Sequence, residues 1–486
     1  MRTRVFSKSA EGLVAVAVGA VVCAAFVPAL ASAAPTGAVH TLPTGSVDGG
    51  SSGSSGSSDG VRTATVDDEG EQLTLRLHKM NLRGSEFSMA VQDSDGELTD
   101  AVIPAPRSYI GSVEGRPDAI VSAIVDSAGT LRGQVIFDRG VSIEFVGSEV
   151  VGRSTAPIDA KPKWPTAAIA PASAARVGKT VKQFVVGLDL SGEWYSAHGA
   201  GSAAVALDRA EESMARTAAI WIRDVGIRPV LGRVVLRADS AGDPYSSSCE
   251  NLEQLEDLWS DQVGSSVDQA TVVCASGGGN AYYSKFELDH SYAHVGAESD
   301  GNFSRVLRHE LGHNFYADDY HGGGAEGSTI MNGNDLSRFD GTEFAAIVDA
   351  AEVASARLDD VGRYTASPIP PYAALDTARV RSGGTVTVDA VANDHDSNGD
   401  SIKVTGVGAT SLLGGTVKLE NGEVVFEAGT KAGTDRILYT LTDAAGGTST
   451  GWIIVDVSAS EPNQATSTLD SSSRTRNSVP SAAISE

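Results

Sequence analysis

The stretch Arg308-His309-Glu310-Leu311-Gly312-His313-Asn314-Phe315-Tyr316-Ala317-Asp318-Asp319-Tyr320-His321 decides how the rest of this 486-residue chain is read. On a helix, residues i and i+4 share one face a turn apart, so His309 and His313 can aim both imidazoles at one point. Such a pair suits Zn²⁺, which takes nitrogen ligands at about 2.0–2.1 Å. Glu310, beside the first histidine, can reach a water at the metal without ligating the metal, and so can act as a general base. The bland alternative is a solvated helix that happens to carry two histidines. A catalytic zinc also needs a third protein ligand and an open position. Asp319, His321 and Asp318 are the candidates. On a continuing helix His321 would point about 120° away from His309, which ranks it behind Asp319.

Downstream comes Thr329-Ile330-Met331-Asn332. Together the two stretches resemble the metzincin clan of zinc peptidases, whose signature runs H-E-x-x-H-x-x-G-x-x-H/D and continues to a methionine turn beneath the metal. Within the clan, His309 to Phe315 is most similar to the adamalysin/reprolysin family. Tyr109-Ile110-Gly111-Ser112-Val113-Glu114-Gly115-Arg116-Pro117 and Gly129-Thr130-Leu131-Arg132-Gly133 resemble that family's propeptide. The resemblance spans about Glu71 to Arg357. It implies an α/β metzincin-like catalytic domain, ligands His309, His313 and Asp319, Glu310 as the base and Met331 in the turn. Two departures stand out. Tyr316 occupies the position of a turn glycine. Either it bears φ > 0 at a cost of about 1–2 kcal/mol, or the turn shifts and presents His321 instead. The expected prodomain also contains no cysteine that could silence the metal, so latency would need occlusion of the cleft or another ligand.

Export is legible at the N-terminus. Arg2 and Arg4 precede an apolar run from Leu13 to Leu30 and then Ala31-Ser32-Ala33, which reads as a secretory signal peptide. The expected mature protein is secreted, with no membrane anchor. Its remaining cysteines, Cys249 and Cys274, are then expected to pair. With a net charge of −25, nucleic acid and anionic membrane are not expected partners, since phosphate binding needs clustered Lys and Arg.

The chain divides by texture into 1–33 signal peptide, 34–70 flexible Ser/Gly-rich segment, 71–152 β-rich prodomain, 153–180 linker, 181–366 catalytic domain, 367–458 β-sandwich and 459–486 polar tail. Leu73, Leu75 and Leu77, like Phe87, Met89 and Val91, alternate with polar residues, as half-buried strands do. In the catalytic segment, helices are expected over Ser202 to Val225, stopped by Gly226, over Glu250 to Val263, and over Asp340 to Leu358. The last opens on an Asp340/Glu343 capping box. Its acids leave Glu343 or Glu352 as a further third-ligand reading. His290 and His294 are read as strand or surface residues.

From Thr385 to Val457 short strands alternate with turn signals, Asn421-Gly422 among them, as in a β-sandwich. The loop Asn393 to Asp400 resembles loops of bacterial cadherin-like and Ig-like modules. Its alternating carboxylates could hold Ca²⁺, although a solvated Asx-rich turn explains the same letters. The expectation is a secreted zinc endopeptidase cleaving extracellular proteins or peptides. Its rivals are a non-catalytic binding protein on a degenerate peptidase fold and a zinc amidase with non-peptide substrates.

Overall fold

The computed structural model describes residues 40–41, 61–137, 141–154, 180–239, 242–245, 249–319, 329–331, 338–365, 370–397, 399–459 and 483–485. The expected signal peptide, the linker's centre and His321 lie outside them. The described chain is β-rich and multidomain, with a closed barrel, a ten-stranded mixed sheet flanked by helices and a C-terminal two-sheet sandwich. Among the described residues no helix is long and apolar enough to cross a membrane.

The barrel is formed by Val61–Asp68, Glu71–Lys79, Ser108–Val113, Arg116–Val125, Leu131–Ile136, Ser142–Val146 and Glu149–Ser154. Leu73, Leu75 and Leu77 face its core, as period-two alternation requires. Glu69 (φ 56°) and Gly70 (φ 94°) make a tight turn between its first two strands. The first strand, Val61–Asp68, lies before residue 71. Its sequence, VRTATVDD, is mostly polar and only Val66 is fully buried, so alternation marks it weakly.

The strand expected around Phe87, Met89 and Val91 is Arg83–Gln92. This strand leaves the barrel and pairs in parallel with Ile227–Leu236, extending the mixed sheet together with Leu98–Asp100. The N-terminal segment is therefore not a self-contained body. The sheet continues through Thr180–Leu190, Gln269–Cys274 and Tyr292–Gly296 to Gly279–Tyr282, and Ala483–Ser485 pairs antiparallel with that strand. Asp359–Thr365 pairs antiparallel with the start of Thr180–Leu190.

Among the described residues, five helices cover the sheet: α1 (Gly192–His198), α2 (Ala203–Val225), α3 (Leu252–Trp259), α4 (Asp300–Asn314) and α5 (Gly341–Val353). Ser202 caps α2, and Gly226 at φ 65° ends it. The α5 capping box is present on both sides. Helices α3 and α5 stop short of the expected Val263 and Leu358. Cys249 and Cys274 form a disulfide with Cα atoms 6.0 Å apart, closing a loop that contains α3 and ends on the strand Gln269–Cys274.

Helix α2 holds the barrel to the sheet. It is buried along nearly its whole length, charged side chains included. Barrel-side partners neutralise those charges. Arg107 meets Asp208 at 2.5 Å, Arg132 meets Glu212 at 2.8 Å, Glu144 meets Arg216 at 2.7 Å, and Arg83 meets Glu211. Arg216 also bonds Glu212 at 2.6 Å.

The sandwich pairs Asp376–Arg381, Thr448–Ser458, Gly433–Asp443 and Ile402–Val407 in one sheet. The other holds Thr385–Val388, Glu423–Glu427 and Thr416–Glu420. Asn421 and Gly422 both take positive φ, 53° and 91°, as the hairpin reading expects. The sandwich docks on the start of α5. The Gly341 N–H donates to Asn393 O at 2.8 Å, and the His395 ring stacks on Phe344 at 5.1 Å. Burial, reinforced by the nearby Arg338, pushes His395 down from its usual 6.5 to about 4.

Two outcomes follow from this packing. Proteolytic nicking within residues 155–179 should leave the barrel bound to the remainder, because release would strand the buried charges of α2, each at about 3–5 kcal/mol. Co-elution of both fragments on size-exclusion chromatography tests this. Separately, His294 and His395 are both held near 4 and protonate at their ordinary 6.5 once unfolded. Unfolding therefore takes up protons, and stability is lost as pH falls from about 6.5 toward about 4. A thermal midpoint that declines over that window, with a shallower decline in His395→Phe, checks the assignment.

Candidate metal centre

Helix α4 starts on a Ser299 cap and carries His309, Glu310 and His313 in its second half, all buried. The chain then turns sharply. Tyr316 sits at φ 67°, in the left-handed region that ordinarily favours glycine. Its ring stacks on Tyr283 at 4.4 Å, and Lys285 Nζ lies 5.0 Å from the ring centroid. These contacts offset a backbone cost of about 1–2 kcal/mol. The turn swings Asp319 back over the helix.

The result is a convergence of three ligand atoms. His309 Nε2 and His313 Nε2 stand 3.1 Å apart, and Asp319 Oδ1 lies 3.3 Å from the first and 3.5 Å from the second. Four tetrahedral ligands at zinc-like distances would be separated by roughly 3.3 Å, so these spacings suit a single small divalent ion. The other ring nitrogens fix the tautomers. His309 Nδ1 is 2.8 Å from Ile330 O, and His313 Nδ1 is 2.8 Å from Ala317 O. A carbonyl only accepts, so each Nδ1 carries the proton and each Nε2 offers its lone pair inward.

The Ile330 carbonyl is itself held in place. Thr329 Oγ1 donates to Glu343 Oε1, while Glu343 Oε2 accepts the Asp340 N–H at 3.0 Å. Ile330 N–H donates to Arg338 O at 3.0 Å. Glu343 is thus engaged in the capping box and with Thr329, which removes it from the ligand readings. Met331 lies under α4, where a Cβ on Gly312 would come within 2.5 Å of its Sδ. Glycine at 312 makes that packing possible.

Several contributors carry no helical or alternating pattern of their own. The Gly279 backbone runs directly against the Glu310 carboxylate, leaving no space for a Cβ. Asn314 Nδ2 donates to Tyr282 O at 2.9 Å and Tyr292 O at 3.2 Å, tying α4 to the strands Gly279–Tyr282 and Tyr292–Gly296. The run Gly277-Gly278-Gly279 is the one sequence signal that marks this approach. His290 lies in a short turn before Tyr292–Gly296, and His294 is buried within that strand, where burial pushes it to about 4. Neither joins the cluster.

Residues 367–456 match the bacterial Ig domain family, which covers the C-terminal sandwich. No curated protein matches the chain. Among solved structures, one similar chain is a nucleoside hydrolase-related hypothetical protein from Saccharophagus degradans, 21% identical over 24% of this chain and 30% of that one, with a TM-score of 0.17. Another belongs to a chaperone–substrate complex, at 13% identity, 47% and 39% coverage and a TM-score of 0.30. A third is an endo-fucoidan hydrolase of glycoside hydrolase family 107, at 16% identity, 18% and 13% coverage and a TM-score of 0.14. The chain spans less than half the length of each.

Thr329→Val removes the bond to Glu343 without touching a ligand. It should weaken divalent metal retention by about 10–100-fold, read as metal content after dialysis against graded chelator.

Proposed function

We propose that this chain is a secreted zinc endopeptidase with a metzincin-like catalytic domain, acting on extracellular proteins or peptides. The observation that carries this reading is the convergence of His309 Nε2, His313 Nε2 and Asp319 Oδ1 at mutual distances of 3.1 to 3.5 Å, on the helix that also carries Glu310. Two neutral imidazoles and one carboxylate form a donor set typical of catalytic zinc, with three protein ligands and room for a fourth. The chemistry such an ion supplies when bound is to polarise a carbonyl and to lower the pKa of a water toward about 7.

The protein's own groups do the rest. Glu310 follows a ligand but is not one, and its carboxylate accepts the proton of the attacking water and passes it to the departing amine. Ile330 O and Ala317 O hold the imidazoles in the required tautomer. Met331 and Gly312 fix the floor beneath α4.

Support for a peptide substrate comes from the strand Gly279–Tyr282. It begins against Glu310 and carries an extended segment, Ala483–Ser485, paired antiparallel with Asn280 opposite Ser485. An edge that takes one extended segment by main-chain hydrogen bonds suits another of any side-chain sequence. A substrate chain laid there would pass beside the Glu310 carboxylate.

Glu310→Gln should keep zinc and fold while peptide turnover drops by about 10²–10⁴-fold. Asp319→Ala should lose both zinc and turnover, and His321→Ala should retain both. Zinc content after dialysis, measured beside hydrolysis of a quenched-fluorescent peptide, tests the set. Full activity in Glu310→Gln would overturn the mechanism. Zinc retained in Asp319→Ala but lost in His321→Ala would move the third ligand.

A further inference from the structure

We propose that the C-terminal sandwich holds a second metal site, for Ca²⁺, built from Asp396, Asp400 and Asp443. The inference is independent of the peptidase reading. Asp396 and Asp400 come from the loop between Thr385–Val388 and Ile402–Val407. Asp443 ends the strand Gly433–Asp443 and pairs in register with Ile402, which brings it beside that loop. One carboxylate oxygen from each of the three lies within 4.8 Å of the others. These are not solvated surface acids, since Asp443 is 4% exposed and Asp396 8%.

The backbone presents the carboxylates rather than consuming them. Asp400 N–H donates to Asp396 Oδ1 at 3.0 Å, and Gly447 N–H donates to Asp443 Oδ1 at 2.7 Å. The second oxygen of Asp443, Oδ2, is buried with no hydrogen-bond donor. A buried carboxylate oxygen without a donor is costly and calls for a cation. Any Cβ on Gly447 would collide with that oxygen, so glycine keeps the approach to it clear. The donors are hard oxygens with no imidazole or thiolate among them. That set favours Ca²⁺ over zinc, and Ca²⁺ tolerates the irregular geometry that Mg²⁺ does not.

The same loop docks the sandwich on the catalytic segment. Asn393 accepts from the Gly341 N–H, and His395 stacks on Phe344. Ca²⁺ at Asp396 and Asp400 would therefore brace the attachment to α5 from the loop's other end.

The test is calorimetric titration of the full chain with CaCl2 and, separately, MgCl2, alongside thermal midpoints. The expected result is one equivalent of Ca²⁺ bound in the range of about 10⁻⁴–10⁻³ M, a raised midpoint and much weaker Mg²⁺ binding. His309→Ala/His313→Ala should bind Ca²⁺ unchanged, which separates this site from the histidine cluster. Asp400→Asn/Asp443→Asn should lose at least about tenfold in affinity. With like-charge repulsion relieved, its Ca²⁺-free midpoint should equal or exceed that of the Ca²⁺-free parent. No Ca²⁺-dependent heat or midpoint shift up to about 10 mM, equal affinity in the Asn variant, or a Ca²⁺-free variant less stable than the parent would each overturn the proposal.

Discussion

Helix α2 is the constraint on which the rest of the molecule depends. A helix buried on nearly all sides would ordinarily be apolar all round. This one carries Asp208, Glu211, Glu212 and Arg216 into the interior. Buried charges must be paired, and the partners come from Arg83, Arg107, Arg132 and Glu144 of the N-terminal segment. Burial, with a smaller push from the Asp208 charge, raises the pKa of Glu211, against which Arg83 and Arg107 pull downward. The N-terminal segment is thereby committed twice. It neutralises the helix and also gives the sheet the strand Arg83–Gln92. That strand extends the edge opposite Gly279–Tyr282, so the barrel is built into the side of the sheet away from Glu310. An N-terminal segment so placed acts as a structural partner of the helix-flanked sheet.

The geometry of the candidate metal centre depends in turn on where α4 is anchored. Phe315 ends the helix stacked on Phe286 at 4.2 Å and edge-on to Trp221 of α2 at 5.3 Å. Fixing that end sets the position from which the chain must reverse. The Tyr316 turn then places Ala317 O against His313 and Asp319 against both imidazoles. Asn314 ties the same turn of helix to the strands beside it. The barrel, α2, α4 and the three ligands thus form one mechanical series.

What the sequence discloses here is local. Ser202 and Gly226 bracket α2, Asp340 and Glu343 open α5, and Asn421-Gly422 turns a hairpin, because caps and tight turns are decided by a few neighbouring residues. The histidine spacing is local in the same sense, since one helical turn fixes it. Pairing partners are not local. Phe87, Met89 and Val91 show a strand but not that it joins Ile227–Leu236. Asp376–Arg381 is marked by its alternation and by the Gly383-Gly384 turn after it, but not as the parallel partner of Thr448–Ser458. Asp443 reaches Asp396 and Asp400 only through strand register. Tyr316 could be recognised as a departure, but the Tyr283 ring that accommodates it lies on another segment.

Glu343 shows how tightly the two ends of the molecule are linked. Its backbone N–H donates to the α5 cap, Asp340 Oδ1, at 2.9 Å, and its carboxylate accepts from the Asp340 N–H and from Thr329 Oγ1. Asp340 is followed by Gly341, whose N–H is taken by Asn393 of the sandwich, with no room for a Cβ between them. The N-terminus of α5 therefore joins two assemblies. One side holds the turn that supplies Ile330 O to His309, and the other carries the loop that ends at Asp396 and Asp400. A displacement of the sandwich would act on the α5 cap first and on the His309 imidazole through it. This gives the C-terminal sandwich a physical route to the candidate metal centre while it contributes none of the three converging side-chain atoms.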